Sequence, residues 1–257
     1  MRPLQPVGAG ARIVLGALFF ALFIGVWAAV TYGGVVPALF LASPGRALAS
    51  GWALLAEYGF AFDIGVTVWR VVGGFLLAAL VAVPLGLLMG AFKPVEAFFE
   101  PFFSFARYLP ASAFIPLLIL WLGVGEAQKL AVIVIGSVFQ LVIMVAAIAG
   151  GTRRDLVEAA YTLGSRPLSI LRRVVIPAAA PQVAEALRLV LGWAWTYVIV
   201  AELVGASSGI GHMIMDSQRL LDTGQMIFGI VTIGVIGLVT DLLFKAVNRW
   251  LFPWAVL

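Results

Sequence analysis

The sequence predicts an all-α, polytopic membrane protein with about six transmembrane helices. Two observations carry that prediction. Of the 257 residues, 63% are hydrophobic and only 11% are charged, and the mean hydropathy is +1.12; a soluble domain carries about 25% charged residues. The apolar residues are also gathered into runs long enough to cross a hydrocarbon core of roughly 30 Å, with charges, prolines and paired glycines collected between them. Lipid offers no water to backbone polar groups, so such runs are helices. Cysteine is absent, which excludes a disulfide framework and thiol chemistry. The net charge of +4 belongs to cytoplasmic loops. No basic patch interleaved with aromatics points to nucleic acid.

Residues 13–31 form the first span, N-terminus inside, flanked by Arg2 and Arg12. The run is too long for the apolar region of a signal peptide and lacks a small-x-small cleavage site. Gly33, Gly34, Pro37, Ser43, Pro44 and Gly45 then break the chain. Residues 43–58 read as an external surface helix with Arg46 and Glu57 in water, the alternative being a poorly hydrophobic span. Residues 64–92 are the second span, with small positions at Gly86 and Gly90 for close packing and a kink expected at Pro84. Arg70 is placed near the external end of this span, reaching for water; burial beside a partner is the alternative. Residues 93–110 read as an amphipathic cytoplasmic segment along the interface, carrying Glu96, Glu100 and Arg107 among Phe98, Phe99, Phe102 and Phe103. Residues 111–124 are the third span, with breaks at Pro110 and Pro116, and residues 129–149 the fourth. Residues 178–204 are the fifth; Glu185 and Arg188 share one face of it, and Glu202 lies near its external end. The run 205–211 is too glycine-rich for a helix and reads as a gate-like or re-entrant loop, with His212 as a hydrogen-bonding loop residue. Residues 224–247 are the last span, its end anchored by Lys245, Arg249 and Trp254. Most of the 16 basic residues, Arg2, Arg12, Lys93, Arg107, Arg153, Arg154, Arg166, Arg172, Arg173, Lys245 and Arg249, then fall on one side, with Arg46, Lys129 and Arg219 in loops on the other. This puts both termini and residues 152–177 in the cytoplasm.

Residues 152–177 are a charged, patterned insert in an otherwise lipid-compatible chain. Thr152 and Asp155 match a capping box. Leu156, Ala159, Ala160 and Leu163 make one apolar stripe. Gly164 falls where a left-handed C-cap is expected. Pro167 fits the first turn of a second short helix, and Pro177 is expected to end it.

Glu158-Ala159-Ala160, Gly164 three residues after Tyr161, and Ile176-Pro177 resemble the EAA loop of ABC-importer permeases. Ala201-Glu202 through Gly209-Ile210-Gly211, with Asp222-Thr223 after it, and the run from Ile115 to Glu126, are similar to the nitrate/sulfonate/taurine branch; the resemblance covers about residues 64–245. It implies a type I ABC-importer-like fold, with residues 1–257 as one permease domain, 64–247 as its core and 152–177 as a cytoplasmic coupling loop. It implies that Glu158, Ala159, Ala160, Gly164 and Pro177 meet an ATP-binding subunit, present as a dimer and carrying the ATP and Mg. A matched pair of coupling loops implies a second copy of this chain. An external substrate-binding protein would deliver a small anionic solute, nitrate, sulfonate or taurine-like, across a bacterial inner membrane.

The chain itself shows no catalytic set and no cofactor site. None of its three lysines follows glycine, so there is no Walker A loop. A lone His212 forms no zinc site. Gln140, Trp193, Tyr197, Glu202, Ser207 and Ser208 are the candidates for the pathway or its gate, with Glu202 braced by Arg219 or by backbone. An ion-coupled secondary transporter using Glu202 and Asp241 is the main alternative; an intramembrane enzyme and a subunit without a pathway are others.

Overall fold

A computed structural model describes residues 7–255; Arg2 of the charge pattern lies outside the described residues. Every regular element among them is helical. The helices are α1 (Ala9–Tyr32), α2 (Pro44–Glu57), α3 (Phe60–Ala91), α4 (Lys93–Ala106), α5 (Ile115–Leu122), α6 (Glu126–Gly150), α7 (Arg154–Thr162), α8 (Pro167–Ile170), α9 (Ile176–Leu203), α10 (Ile210–Arg219) and α11 (Thr223–Leu251). Five stretches are long and apolar enough to cross a membrane, or six if α4 and α5 count as one broken span.

The chain divides into two compact units interleaved in sequence: residues 1–60 with 213–231, and residues 61–212 with 232–257. In the first, α1 leaves its apolar side chains exposed all round, as a lipid-facing helix does. The Trp27 indole N–H donates to the Ala42 carbonyl at 3.0 Å. The 14 residues of α2 are too few to span. Its N-cap is Ser43, whose hydroxyl accepts from the Arg46 N–H, and Pro44 takes the first turn. Gly51 of α2 meets the Phe228 ring so closely that an added Cβ would stand 2.1 Å from a ring carbon.

In the second unit α3, α6 and α9 share one apolar core that includes Val71, Met89, Ile133, Val142, Val190 and Trp195. The most extensive packing is between α6 and α9. At Gly90 of α3 an added Cβ would stand 2.4 Å from the Ala146 carbonyl oxygen, so only glycine lets α6 approach this closely. The helix α3 runs on through Pro84.

Three expectations are corrected here. The third span is not residues 111–124 alone: α5 has eight residues, roughly 12 Å, and reaches across only with α4, from which it turns by 86°. Pro110 lies in the break and offers no N–H to a continuous ladder, while Pro116 falls in the first turn of α5, where its missing N–H costs little. Pro177 does not end the second helix of the cytoplasmic insert. A π-helical turn, Leu171–Val175, joins α8 to α9, and the Ile176 N–H donates back to the Leu171 carbonyl. The wider turn shifts the register, so the missing N–H of Pro177 falls in a first turn where it costs little. Third, the irregular loop ends at Gly209, and His212 lies in the first turn of α10.

Candidate coupling surface, loop latch and pathway cavity

The helix α7 is built to be seen from outside. None of its residues is buried. On its inner side Val157 and Ala160 lean on Ala149, Ile170, Leu171 and Val175. Glu158 and Ala159 face outward and are exposed, beside Tyr161 and Leu163, which are 54% and 85% exposed. The end of the helix is held by a Schellman motif: the Ser165 N–H donates to Ala160 O at 3.0 Å and the Gly164 N–H to Tyr161 O at 2.9 Å, with Gly164 at φ +74°. Pro177 is exposed at the start of α9. The expected capping box does not form. α6 continues to Gly150, so the link to α7 is short; Arg153 takes the N-cap position, and the Thr152 hydroxyl is buried without a partner among the described residues. Asp155 pairs with Arg153 instead. That guanidinium, through its hydrogen bond and its charge, holds the Asp155 carboxyl below the usual range. The pair is therefore intact at neutral pH and lost only as pH falls through that lowered value.

The glycine-rich loop between α9 and α10 is tied down by charge. Arg70, fully buried on α3, donates from Nε and Nη2 to both oxygens of Glu126 at 2.7 and 2.5 Å. Its Nη1 donates to Glu202 Oε1 at 2.8 Å and to the Ser208 carbonyl at 2.7 Å. Glu202 also accepts from the Thr67 hydroxyl at 2.9 Å and from the Gly211 N–H at 2.8 Å. Asp63 accepts from the Gly209 N–H at 2.6 Å, and the Thr67 oxygen from the Ile210 N–H at 2.9 Å. The free N–H groups that open α10 are thus capped by side chains of α3 and α9. The positions of Arg70 and Lys129 are both corrected: Arg70 is enclosed between two carboxylates rather than reaching for water, and Lys129, expected in an outside loop, is buried on α6 with its ammonium on the Gly125 carbonyl. Arg219 pairs with Asp216, so Glu202 is braced by Arg70 and by backbone. The one sequence signal for this latch was a charge inside a span, with Asp63, Thr67 and Arg70 on one helix face.

Gln140, Trp193 and Tyr197, three of the pathway candidates, line one cavity of about 380 Å³ with Ser112, Thr196 and the turn Arg107–Pro110. Gly136 makes room: an added Cβ there would stand 2.5 Å from the Tyr197 ring. Ser207 is exposed in the glycine-rich loop, while Glu202 and Ser208 belong to the latch. The wall residues Val132 to Gln140 lie roughly 9 to 21 Å along α6 from Glu126. Arg107 is therefore corrected from a cytoplasmic segment to the level of the middle of a span. This happens because α4 climbs beside α6, its Phe102 and Phe103 rings on Phe139, before the chain breaks at Pro110. Asp241 is engaged by Arg188 and Lys245.

A bundle of apolar spans interrupted by a short polar helix pair describes a polytopic membrane protein. Residues 82–253 match the family described as "binding-protein-dependent transport system inner membrane component". A Brucella melitensis protein named as an ABC transporter permease is 35% identical over 93% of this chain and 96% of its own length. A Bacillus subtilis protein named for aliphatic-sulfonate transport as a permease is 33% identical over 93% of this chain and 87% of its own. The inward-facing MetNI methionine ABC transporter has the same fold, with a TM-score of 0.68 over 74% of this chain and 94% of that one at 18% identity. The chain belongs to the binding-protein-dependent transport system inner membrane component family: it is an ABC transporter permease.

Proposed function

We infer that this permease is the membrane subunit of an ATP-driven importer for a small anionic solute, and that α7 is its docking helix for an ATP-binding subunit. The observation that carries this reading is the outward face of α7. Glu158 and Ala159 stand exposed beside two large apolar side chains, on a helix whose other face is packed onto the spans. An exposed apolar and acidic face on a rigid cap is a surface for another protein rather than for water. ATP and Mg belong on that partner, since this chain carries no phosphate-binding loop. Closure of two ATP-binding subunits needs two docking helices, hence a second copy of this chain around a two-fold axis. Relatives named for sulfonate transport support an anionic solute, delivered by an external binding protein. The basic residues around α7 and those near the end of α11, Lys245 and Arg249, support a bacterial inner-membrane location with both termini inside. An ion-coupled mechanism would use a carboxylate free to titrate at mid-depth, and both candidates are committed to cations.

The test is retention of the partner. The tagged chain, purified from its native membrane, retains a nucleotide-binding subunit in equal amount. Glu158→Lys weakens that retention roughly tenfold, the effect of reversing one charge in a desolvated contact. Unchanged retention and unchanged ATPase in that variant would remove α7 from the interface.

A further inference from the structure

The cavity beside the middle of α6 carries one formal charge, and among the described residues that charge has no counter-ion. Of the residues that line it, Arg107 alone is ionic at neutral pH, and no Asp or Glu is among them. Within the described residues no carboxylate lies within ion-pair distance of Arg107. Its guanidinium is held on one side only: Nη2 donates to the Tyr108 hydroxyl at 2.8 Å, and its carbon stands 4.8 Å from the centre of that ring. Nε and Nη1 make no hydrogen bond to the described residues. An arginine at this depth is costly unless it faces a water-filled cavity or a partner. The turn that carries it is irregular backbone, tolerated in a span only where it lines such a cavity. Around it the walls offer neutral donors, the hydroxyls of Thr196 and Tyr197 and the amide of Gln140. A positive planar fork surrounded by neutral donors recognises an oxyanion, because two parallel N–H groups match two oxygens of a sulfonate or carboxylate.

We propose that this cavity is the anion-selective site of the pathway, with Arg107 as the residue that draws the anionic head group to mid-depth and holds it. The proposal deepens the reading of the chain as a permease for an anionic solute. Each partner copy brings one such site. The cation supplies selection by charge, and the single-sided anchor on Tyr108 uses one of the five guanidinium N–H groups, leaving the second Nη2 N–H to form a parallel pair with Nε or Nη1. A site that must also release its cargo is better served by one cation than by several.

Trp193 lines the same cavity and reports on it. The full-length chain in detergent is titrated with iodide, an anionic quencher, and with acrylamide, a neutral one. The Trp193 signal is obtained as the difference between wild type and Trp193→Phe. Iodide quenching of that signal is expected to fall roughly fivefold in Arg107→Gln, the loss of one partly solvated ion pair, with acrylamide quenching unchanged and iodide quenching restored by Arg107→Lys. Methanesulfonate is expected to protect Trp193 from iodide, and methylammonium chloride at the same ionic strength is not. Equal iodide quenching in wild type and Arg107→Gln, with equal acrylamide quenching, overturns the proposal. Should Arg107→Gln also alter acrylamide quenching, Gln140→Glu decides: a selective loss of iodide quenching supports the site, and its absence overturns it. The measurement uses neither ATP nor a partner subunit, so failure of α7 to retain an ATP-binding subunit leaves it standing, and its failure leaves the docking result standing.

Discussion

Arg70 shows how a membrane protein keeps charge inside itself. Two carboxylates, Glu126 and Glu202, balance both it and a second buried cation nearby, Lys129. Every guanidinium nitrogen has an acceptor. Removing Arg70 leaves Glu202, whose side chain is fully buried, as an uncompensated charge, at a cost of about 3–5 kcal/mol, while the half-exposed Glu126 is left to water. Arg70→Met is therefore expected to lower the thermal unfolding midpoint of the purified chain sharply. Arg70→Lys is expected to rescue it poorly, since an ammonium cannot grip Glu126 through two parallel bonds while reaching Glu202. A wild-type midpoint in Arg70→Met would show that the latch contributes little. Gly209 is bound to the same arrangement: at φ +110° an added Cβ would stand 2.5 Å from Glu202 Oε1. The latch was illegible beforehand because its partners are 56 and 132 residues from Arg70. Helix periodicity reports which face a residue occupies and says nothing of what stands opposite.

At the scale of elements, the features that could be read from sequence were those whose cause is local. Gly164 caps α7 because a left-handed residue closes two carbonyls there, and Pro167 opens α8 because its missing N–H falls in a first turn. Thr152 was misread because its role depended on where α6 ends, and Pro177 because a π turn re-registered the helix ahead of it. The cap yields a clean prediction. Nothing lies within 4 Å of a Cβ at Gly164, so Gly164→Ala costs only the left-handed backbone, about 1–2 kcal/mol. Hydrogen exchange at the Gly164 and Ser165 amides is expected to speed up roughly tenfold in Gly164→Ala and much less in Gly164→Asn, which tolerates that conformation. Equal exchange in all three proteins would mean that the cap does not order α7. The broken pair α4 and α5 was half legible. Pro110 announced a break, but nothing local revealed that α4 climbs along α6 and carries Arg107 into the depth of the span.

For the whole molecule, if α7 is the docking helix proposed above, the question is how a push on it reaches a cavity on the far part of α9. Within the second unit the route is covalent and close-packed. Val157 and Ala160 rest on Ile170, Leu171 and Val175, and the helical path from Pro167 to Leu203 is uninterrupted apart from its π turn. The same small core holds Ala149 at the end of α6, so α7 grips the two helices whose opposite halves line the cavity. Close-packed interiors transmit displacement rather than absorb it, whereas a void at the joint would take up the motion. Leu171 is the joint: it is buried, sits in the π turn and belongs to the core under α7. Leu171→Ala removes that contact without touching the outward face that carries Glu158. The variant is expected to lose about 2–5 kcal/mol of packing energy and to bind the ATP-binding subunit nearly as wild type. Transport in proteoliposomes with that subunit is then expected to fall well below ATP hydrolysis, so that more ATP is spent per solute moved. Transport and hydrolysis falling together would place the fault in docking. Neither falling would mean that motion reaches α9 by a path other than this core.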